Sequence, residues 1–199
     1  MPPILVVCTG NVCRSPLAVG FLQAALAGRF GSRAPVVSSA GTAGWEGSPA
    51  VPESVDAAAE RGVDISDHRA RALLRGHIDE AGVILGMAAE HRNTVLNAVP
   101  QAADRTFTLK ELVRLLEALP PADPSAAPVL ALKTRVAAAA RLRAGGFQGN
   151  PNDEDVADPL GEPFDTFRAV AWEVDEWSGR LADGLFGLAP AHAAAGEEG

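Results

Sequence analysis

The sequence predicts an α/β fold in which a four-stranded parallel sheet is flanked by helices and carries a tight loop after its first strand. Three observations predict it. Short unbroken apolar runs, Ile4-Leu5-Val6-Val7 and Gly82-Val83-Ile84-Leu85-Gly86-Met87, have the length and continuity of strands buried on both faces. Segments with helical apolar spacing alternate with such runs, the pattern of right-handed crossovers. The first run also passes directly through Cys8-Thr9-Gly10-Asn11-Val12-Cys13-Arg14-Ser15-Pro16 into a helix, so the chain offers a turn that ends at a helix N-terminus.

The elements follow in order. Ser15 reads as the N-cap and Pro16 as the first residue of a helix running to about Gly28, with Leu17, Phe21, Ala24, Ala25 and Leu26 on its apolar face. Val36-Val37-Ser38-Ser39 is the second strand, and Ala40 to Trp45 leaves it as a loop. Pro52 to Arg61 reads as a helix closed by Gly62. The third strand at 82–87 precedes a helix across Glu90 to Val99. Arg105-Thr106-Phe107 is a fourth strand, and Leu109 to Leu119 an amphipathic helix. Pro120 to Ser125 breaks the pattern before an Ala-rich helix from Pro128 to Arg143. A long helix from about Pro163 to Phe186 closes the fold on Phe167, Val170, Ala171, Val174, Leu181 and Leu185. One domain is therefore expected over 1–186, with a helical insertion at about 120–152 and a mobile tail at 187–199.

The loop at 8–16 carries chemistry. Backbone N–H groups of a tight turn at a helix N-terminus converge on one point and favour an anion there. Gly10 lets the backbone turn where a Cβ would obstruct it. Arg14, six residues after Cys8, can return to the rim and grip two oxygens of a tetrahedral dianion with its planar fork. The same field favours the thiolate of Cys8. Cys-x5-Arg-Ser thus combines a nucleophile with a cradle made of Thr9, Gly10, Asn11, Val12, Cys13, Arg14 and Ser15.

The segment resembles the active-site loop of the low-molecular-weight protein tyrosine phosphatases, matching at Cys8, Gly10, Asn11, Cys13, Arg14, Ser15 and Pro16. The resemblance implies a three-layer sandwich with strand order 2-1-3-4, and a reaction through a phosphocysteine. It extends to Ser39-Ala40-Gly41-Thr42 and to Val63-Asp64 through His68-Arg69-Ala70-Arg71. By it, Asn11, Ser15, Ser39 and His68 support the loop, and Ser15 bonds the sulfur. Trp45 falls where the family places an aromatic wall, and Asp158, in Asp158-Pro159 before the last helix, falls where it carries its general acid. Leu160 stands where phosphotyrosine-directed members usually have an aromatic residue, so one wall of the slot is aliphatic. Cys13 is where the family can close a protective disulfide to the nucleophile.

The resemblance leaves alternatives open. Protein arginine phosphatases carry threonine where Val12 stands. Arsenate reductases of this fold need cysteines outside the loop, or glutamine where Pro16 stands. A phosphate-binding module without turnover is the non-enzymatic reading. The run Asp153-Glu154-Asp155 reads as a solvated acidic stretch, and His77, His91 and His192 as surface or satisfied core residues. Lys133, Arg135, Arg141 and Arg143, in a stretch without carboxylates, suggest an insertion that flanks the site and attracts acidic substrates.

Composition narrows the partners. With 17 basic and 25 acidic residues the net charge is −8, which gives no general affinity for nucleic acid or anionic membranes. Forty-seven per cent of residues are apolar and mean hydropathy is +0.08, in keeping with one well-buried core. No apolar run reaches membrane-span length, and the N-terminus lacks the basic start of a leader. Both cysteines lie in one loop and cannot staple distant segments, so a cytoplasmic setting is expected. The expected partner is a phosphorylated protein or small phosphomonoester, with inorganic phosphate as product. Cradle and arginine already supply positive charge, so no metal or other cofactor is expected.

Overall fold

Strands β1 (Ile4–Cys8), β2 (Val37–Gly41), β3 (Val83–Gly86) and β4 (Thr106–Thr108) form one parallel sheet of order β2-β1-β3-β4 in the computed structural model, which describes residues 3–147 and 149–187. Register is continuous across its centre, with Val6 opposite both Ser39 and Leu85. Helices α1 (Arg14–Phe30), α2 (Pro52–Ala59), α3 (Arg75–Glu80), α4 (Ala89–Ala98), α5 (Leu109–Glu117), α6 (Pro128–Ala144) and α7 (Phe164–Phe186) complete it. The tail expected from 187 onward lies, apart from Gly187, outside the described residues.

Alternation along β1 creates the layers. Ile4 and Val6 join the larger core with Leu17, Phe21 and Leu22 of α1 and Val170 and Val174 of α7. Leu5 and Val7 join the opposite core with Ile78 of α3 and Val95 of α4. Each such side chain, fully buried, contributes about 1.5–3 kcal/mol. The strands' C-terminal ends gather Cys8, Gly41 and Gly86 on one side of the sheet, so the loops that leave them share a surface.

Three local expectations are corrected. Helix α1 begins at Arg14 with Cys13 before it, not at Pro16, and Ser15 makes no cap. Pro16 is tolerated because it is the third helical residue, where an N–H has no intrahelical partner in any case. The second strand runs two residues further, to Gly41. Helix α3 has no counterpart in the sequence reading, because Arg75-Gly76-His77-Ile78-Asp79-Glu80 carries one buried apolar residue and no periodicity.

Candidate active site

The loop between β1 and α1 is held from outside by its carbonyls. Cys8 accepts from the N–H of Thr42 (2.9 Å), Thr9 from Ala43 (3.0 Å), Gly10 from Trp45 (3.1 Å) and Val12 from Val51 (2.9 Å). The Asn11 carbonyl accepts from His68 Nε2 at 2.7 Å. A trans peptide places each N–H opposite the preceding C=O, and no cis bond occurs among the described residues. Five outward carbonyls therefore turn the N–H groups of Thr9 to Cys13 inward. Among the described residues, those of Gly10, Asn11, Val12 and Cys13 have no protein acceptor. Such a ring of inward amides favours an anion.

The strained residue is Asn11, not Gly10. Asn11 has φ 60°, a left-handed conformation that costs a non-glycine residue about 1–3 kcal/mol. Its fully buried side chain holds it there. Nδ2 donates to Ser15 Oγ and Ser39 Oγ, both at 2.8 Å, and Oδ1 accepts from the Arg71 N–H at 2.9 Å. Gly10 has no positive φ; a Cβ there would instead press on Val12 Cγ2 at 3.3 Å, with the Trp45 ring at an ordinary contact distance of 3.6 Å.

Ser15 links this frame to the sulfur. Its oxygen accepts from Asn11, which leaves its hydroxyl to donate to Cys8 Sγ, 3.0 Å away. Arg14 closes the opposite side. Nη1 donates to the Val156 carbonyl (3.3 Å), and Nη2 donates to Thr9 Oγ1 (3.3 Å) and Asp158 Oδ2 (2.5 Å). The Arg14 side chain is 5% exposed and that of Asp158 47%, so the guanidinium is enclosed while the carboxyl group meets solvent. Cys8, Thr9, Gly10, Val12, Cys13, Arg14, Trp45, Asp158 and Leu160 line one cleft of about 80 Å³, with room for several water-sized groups. Trp45 and Leu160 are its exposed walls. Larger hollows of about 270 and 450 Å³, beside α6 and beside Pro121–Pro124, have no cysteine, serine or histidine in their walls.

The acidic run before Asp158 is not a solvated stretch. Asp153 pairs with the buried Lys110 (2.8 Å) and with Arg114 (2.5 Å), and Glu154 pairs with Arg92 (2.9 Å). Asp155 Oδ1 accepts from the Ala89 N–H (2.7 Å) and so caps α4 from a distant segment, while the Val156 N–H donates to the Met87 carbonyl (2.8 Å). These contacts fix the segment carrying Asp158 against the end of β3. The expectation that Arg143 attracts substrate also yields. Arg143 donates to the Thr106 and Ala103 carbonyls, pairs with Glu111, and lies over the Phe107 ring. Helix α6 packs on α5, α7 and the turn at Pro100–Arg105, and contributes no residue to the cleft.

His91 is the residue at the site that the sequence reading passed over. It lies in the first turn of α4, 1% exposed, with Nε2 3.0 Å from Thr9 Oγ1. The only sequence signal was its place just beyond the C-terminal end of a parallel strand, where such sheets collect functional groups. Burial holds both His91 and His68 below the ordinary imidazole range. The unfolded chain therefore binds more protons than the folded one below about pH 6.5, and stability present above that value is lost as pH falls through it. Glu154, raised by burial, acts oppositely but nearer the carboxylate range. The expected Tm falls steadily between about pH 7.5 and 5.5. A flat Tm across that window would contradict the burial of two neutral imidazoles.

Comparison with known proteins accords with this geometry. The family described as low molecular weight phosphotyrosine protein phosphatase matches residues 3–127, from the start of β1 to the residue before α6. A protein-arginine-phosphatase of Geobacillus stearothermophilus is 31% identical over 184 residues, 92% of this chain and 95% of its own. The solved arginine phosphatase from that organism superposes with a TM-score of 0.67, covering 93% of each chain. The low molecular weight protein-tyrosine-phosphatase Etp of Escherichia coli strain K12 is 36% identical over 104 residues, 52% of this chain and 66% of its own. A solved low molecular weight protein tyrosine phosphatase from T. tengcongensis is 31% identical with a TM-score of 0.67, covering 93% of this chain and all of that one. With the family matched over more than half its length and a relative at 31% identity along nearly all of it, the chain belongs to the low molecular weight phosphotyrosine protein phosphatases.

Proposed function

We propose that the protein hydrolyses phosphotyrosine in proteins through a phosphocysteine at Cys8. The observation that carries this reading is the set of backbone amides at 10–13 without a protein acceptor among the described residues, in a loop that shares one cleft with Cys8, Arg14 and Asp158. A bound dianion takes the Arg14 fork and the amides, and so displaces Asp158 from Arg14. The freed carboxyl group is then placed to protonate the departing oxygen as the sulfur forms its bond to phosphorus. Water, deprotonated by Asp158, next attacks the phosphocysteine, and Ser15 stabilises the sulfur as it leaves. Trp45 and Leu160 flank the leaving group. The products are the dephosphorylated protein and inorganic phosphate, and the positive charge comes from Arg14 and the amides without a metal.

Phosphoarginine is the second reading, favoured by the relative named for that activity and aligned over 92% of this chain. Against it, Val12 presents an apolar branch to the cleft, and Trp45 offers a flat face to an aryl ring. Release of phosphate from phosphotyrosine, phosphoarginine and phosphoserine peptides in EDTA separates them. Turnover of the phosphotyrosine peptide alone or first supports the proposal. Turnover of the phosphoarginine peptide alone replaces it with the second reading, and no turnover of any removes both.

Cys13 serves as redox partner in this reading. Burial pushes its thiol up to about 12, so it is a neutral thiol at ordinary pH. Peroxide oxidises Cys8 to a sulfenic acid, and condensation with the Cys13 thiol gives a disulfide and water. Activity lost to peroxide should return with thiol in the parent and not in Cys13→Ala. Equal recovery in both would dispose of the role. No helix among the described residues is long and apolar enough to cross a membrane, and two thiols in a catalytic loop suit the reducing cytoplasm.

A further inference from the structure

We propose that the Thr9 hydroxyl is a hydrogen-bond donor to the bound phosphoryl group and that His91 is the positioning residue that aims it. The proposal rests on the phosphatase reading above and concerns how its cleft is completed.

The argument is a count of donors and lone pairs at Thr9 Oγ1. His91 Nε2 faces Thr9 Oγ1 at 3.0 Å and the Glu90 carboxylate at 3.4 Å, both of them acceptors. His91 Nδ1 is buried without a hydrogen-bond partner. An orphaned N–H in that position is costlier than an orphaned lone pair, so the hydrogen belongs on Nε2. Nε2 then donates to Thr9 Oγ1. Arg14 Nη2 donates to the same oxygen from the other side, at 3.3 Å. A hydroxyl oxygen has two lone pairs, and both are taken.

What remains to Thr9 is its own hydrogen. Among the described residues Oγ1 has no partner besides His91 and Arg14, and no acceptor is present for that hydrogen. Thr9 lines the cleft beside Cys8, Arg14 and Asp158, where an oxygen of the phosphoryl group would lie. The hydroxyl therefore adds a side-chain donor to the backbone amides. It also ties the Arg14 fork to α4, since the same oxygen that His91 fixes receives Nη2. Burial and the neighbouring guanidinium keep His91 neutral, so it directs Thr9 without adding charge. A neutral buried histidine that served packing alone would need no partner on the phosphate loop.

The test is a double-mutant cycle on the full chain, reading kcat/KM for a phosphotyrosine peptide, inhibition by inorganic phosphate, and Tm. Thr9→Val is expected to lower kcat/KM and to weaken phosphate inhibition, each on the order of 10- to 100-fold, the range for a hydrogen bond to a charged group. Thr9→Ser keeps the hydroxyl and should recover most of what Thr9→Val loses. His91→Leu should lose about as much as Thr9→Val but cost nothing further in the Thr9→Val background. His91→Gln, which keeps an N–H donor near the Nε2 position, should recover most of the loss. Thr9→Val with unchanged kcat/KM and phosphate inhibition would overturn the proposal. So would losses from His91→Leu and Thr9→Val that simply add, the result expected of a purely structural histidine. If His91→Leu does not fold, the Val and Ser variants at position 9 still decide. A wild-type protein that turns over no phosphopeptide refutes the phosphatase reading itself; turnover that ignores Thr9→Val refutes only this inference.

Discussion

Cys8→Ser protein is expected to release no phosphate above background from any phosphopeptide while keeping a wild-type Tm. Serine at that position has the same shape but holds its proton near neutral pH, and among the described residues no base is hydrogen-bonded to position 8 to take that proton. Among the described residues the one side chain hydrogen-bonded to the sulfur is Ser15, and an aliphatic hydroxyl is too weak a base to take the proton of a second one. Enzymes accelerate such reactions by at least about 10⁶-fold, and loss of the atom that forms the covalent bond should forfeit 10⁴-fold or more of that. The fold should not notice. Cys8 is buried, but a serine hydroxyl there retains Ser15 as partner, so the change in stability stays within about 1 kcal/mol. Residual turnover within tenfold of wild type would show that the attacking group lies elsewhere.

Asp158→Asn should lower kcat by roughly 10²–10⁴-fold for a phosphotyrosine peptide, the usual worth of a positioned acid. The loss should shrink for an aryl leaving group that departs as a stable anion, since that oxygen needs no proton. A second effect has the opposite direction. Asp158 Oδ2 lies 2.5 Å from Arg14 Nη2, and the carboxylate competes with a dianion for the same guanidinium. Asn at 158 removes the charge and leaves a weaker acceptor, so inorganic phosphate should inhibit the variant more strongly than the parent. Chemistry and binding therefore move apart, with kcat lowered and affinity for the product raised. Weaker phosphate inhibition in Asp158→Asn would contradict the competition between carboxylate and dianion.

Much of this was readable in the sequence because its causes are local. Ile4 to Val7 is short, unbroken and apolar, which is what a strand covered on both faces requires. The turn after β1 places its sulfur, its amides and its guanidinium within seven residues, so spacing alone brings them together. What could not be read depends on partners far along the chain. Asp153-Glu154-Asp155 resembles a solvated run until Lys110, Arg114, Arg92 and the N–H of Ala89 are brought against it. His91 is 82 residues from Thr9, and no local pattern announces their contact. Ser15 followed by Pro16 has the form of a helix start, but tertiary demand claimed the hydroxyl for Cys8 and Asn11 and moved the start to Arg14. The left-handed residue of the loop is Asn11, which no local pattern marks, since its buried side chain is held there by three hydrogen bonds that an alanine could not make.

The covalent step is open to direct observation. Asp158→Ala protein, mixed with p-nitrophenyl phosphate and quenched within the first turnovers, meets a leaving group that departs unaided but lacks the carboxyl group proposed to activate water. Peptide mass spectrometry of the quenched protein should then find a phosphoryl group on Cys8. Rapid phosphate release with no adduct, or an adduct on any other residue, would contradict a sulfur-centred mechanism in this cleft.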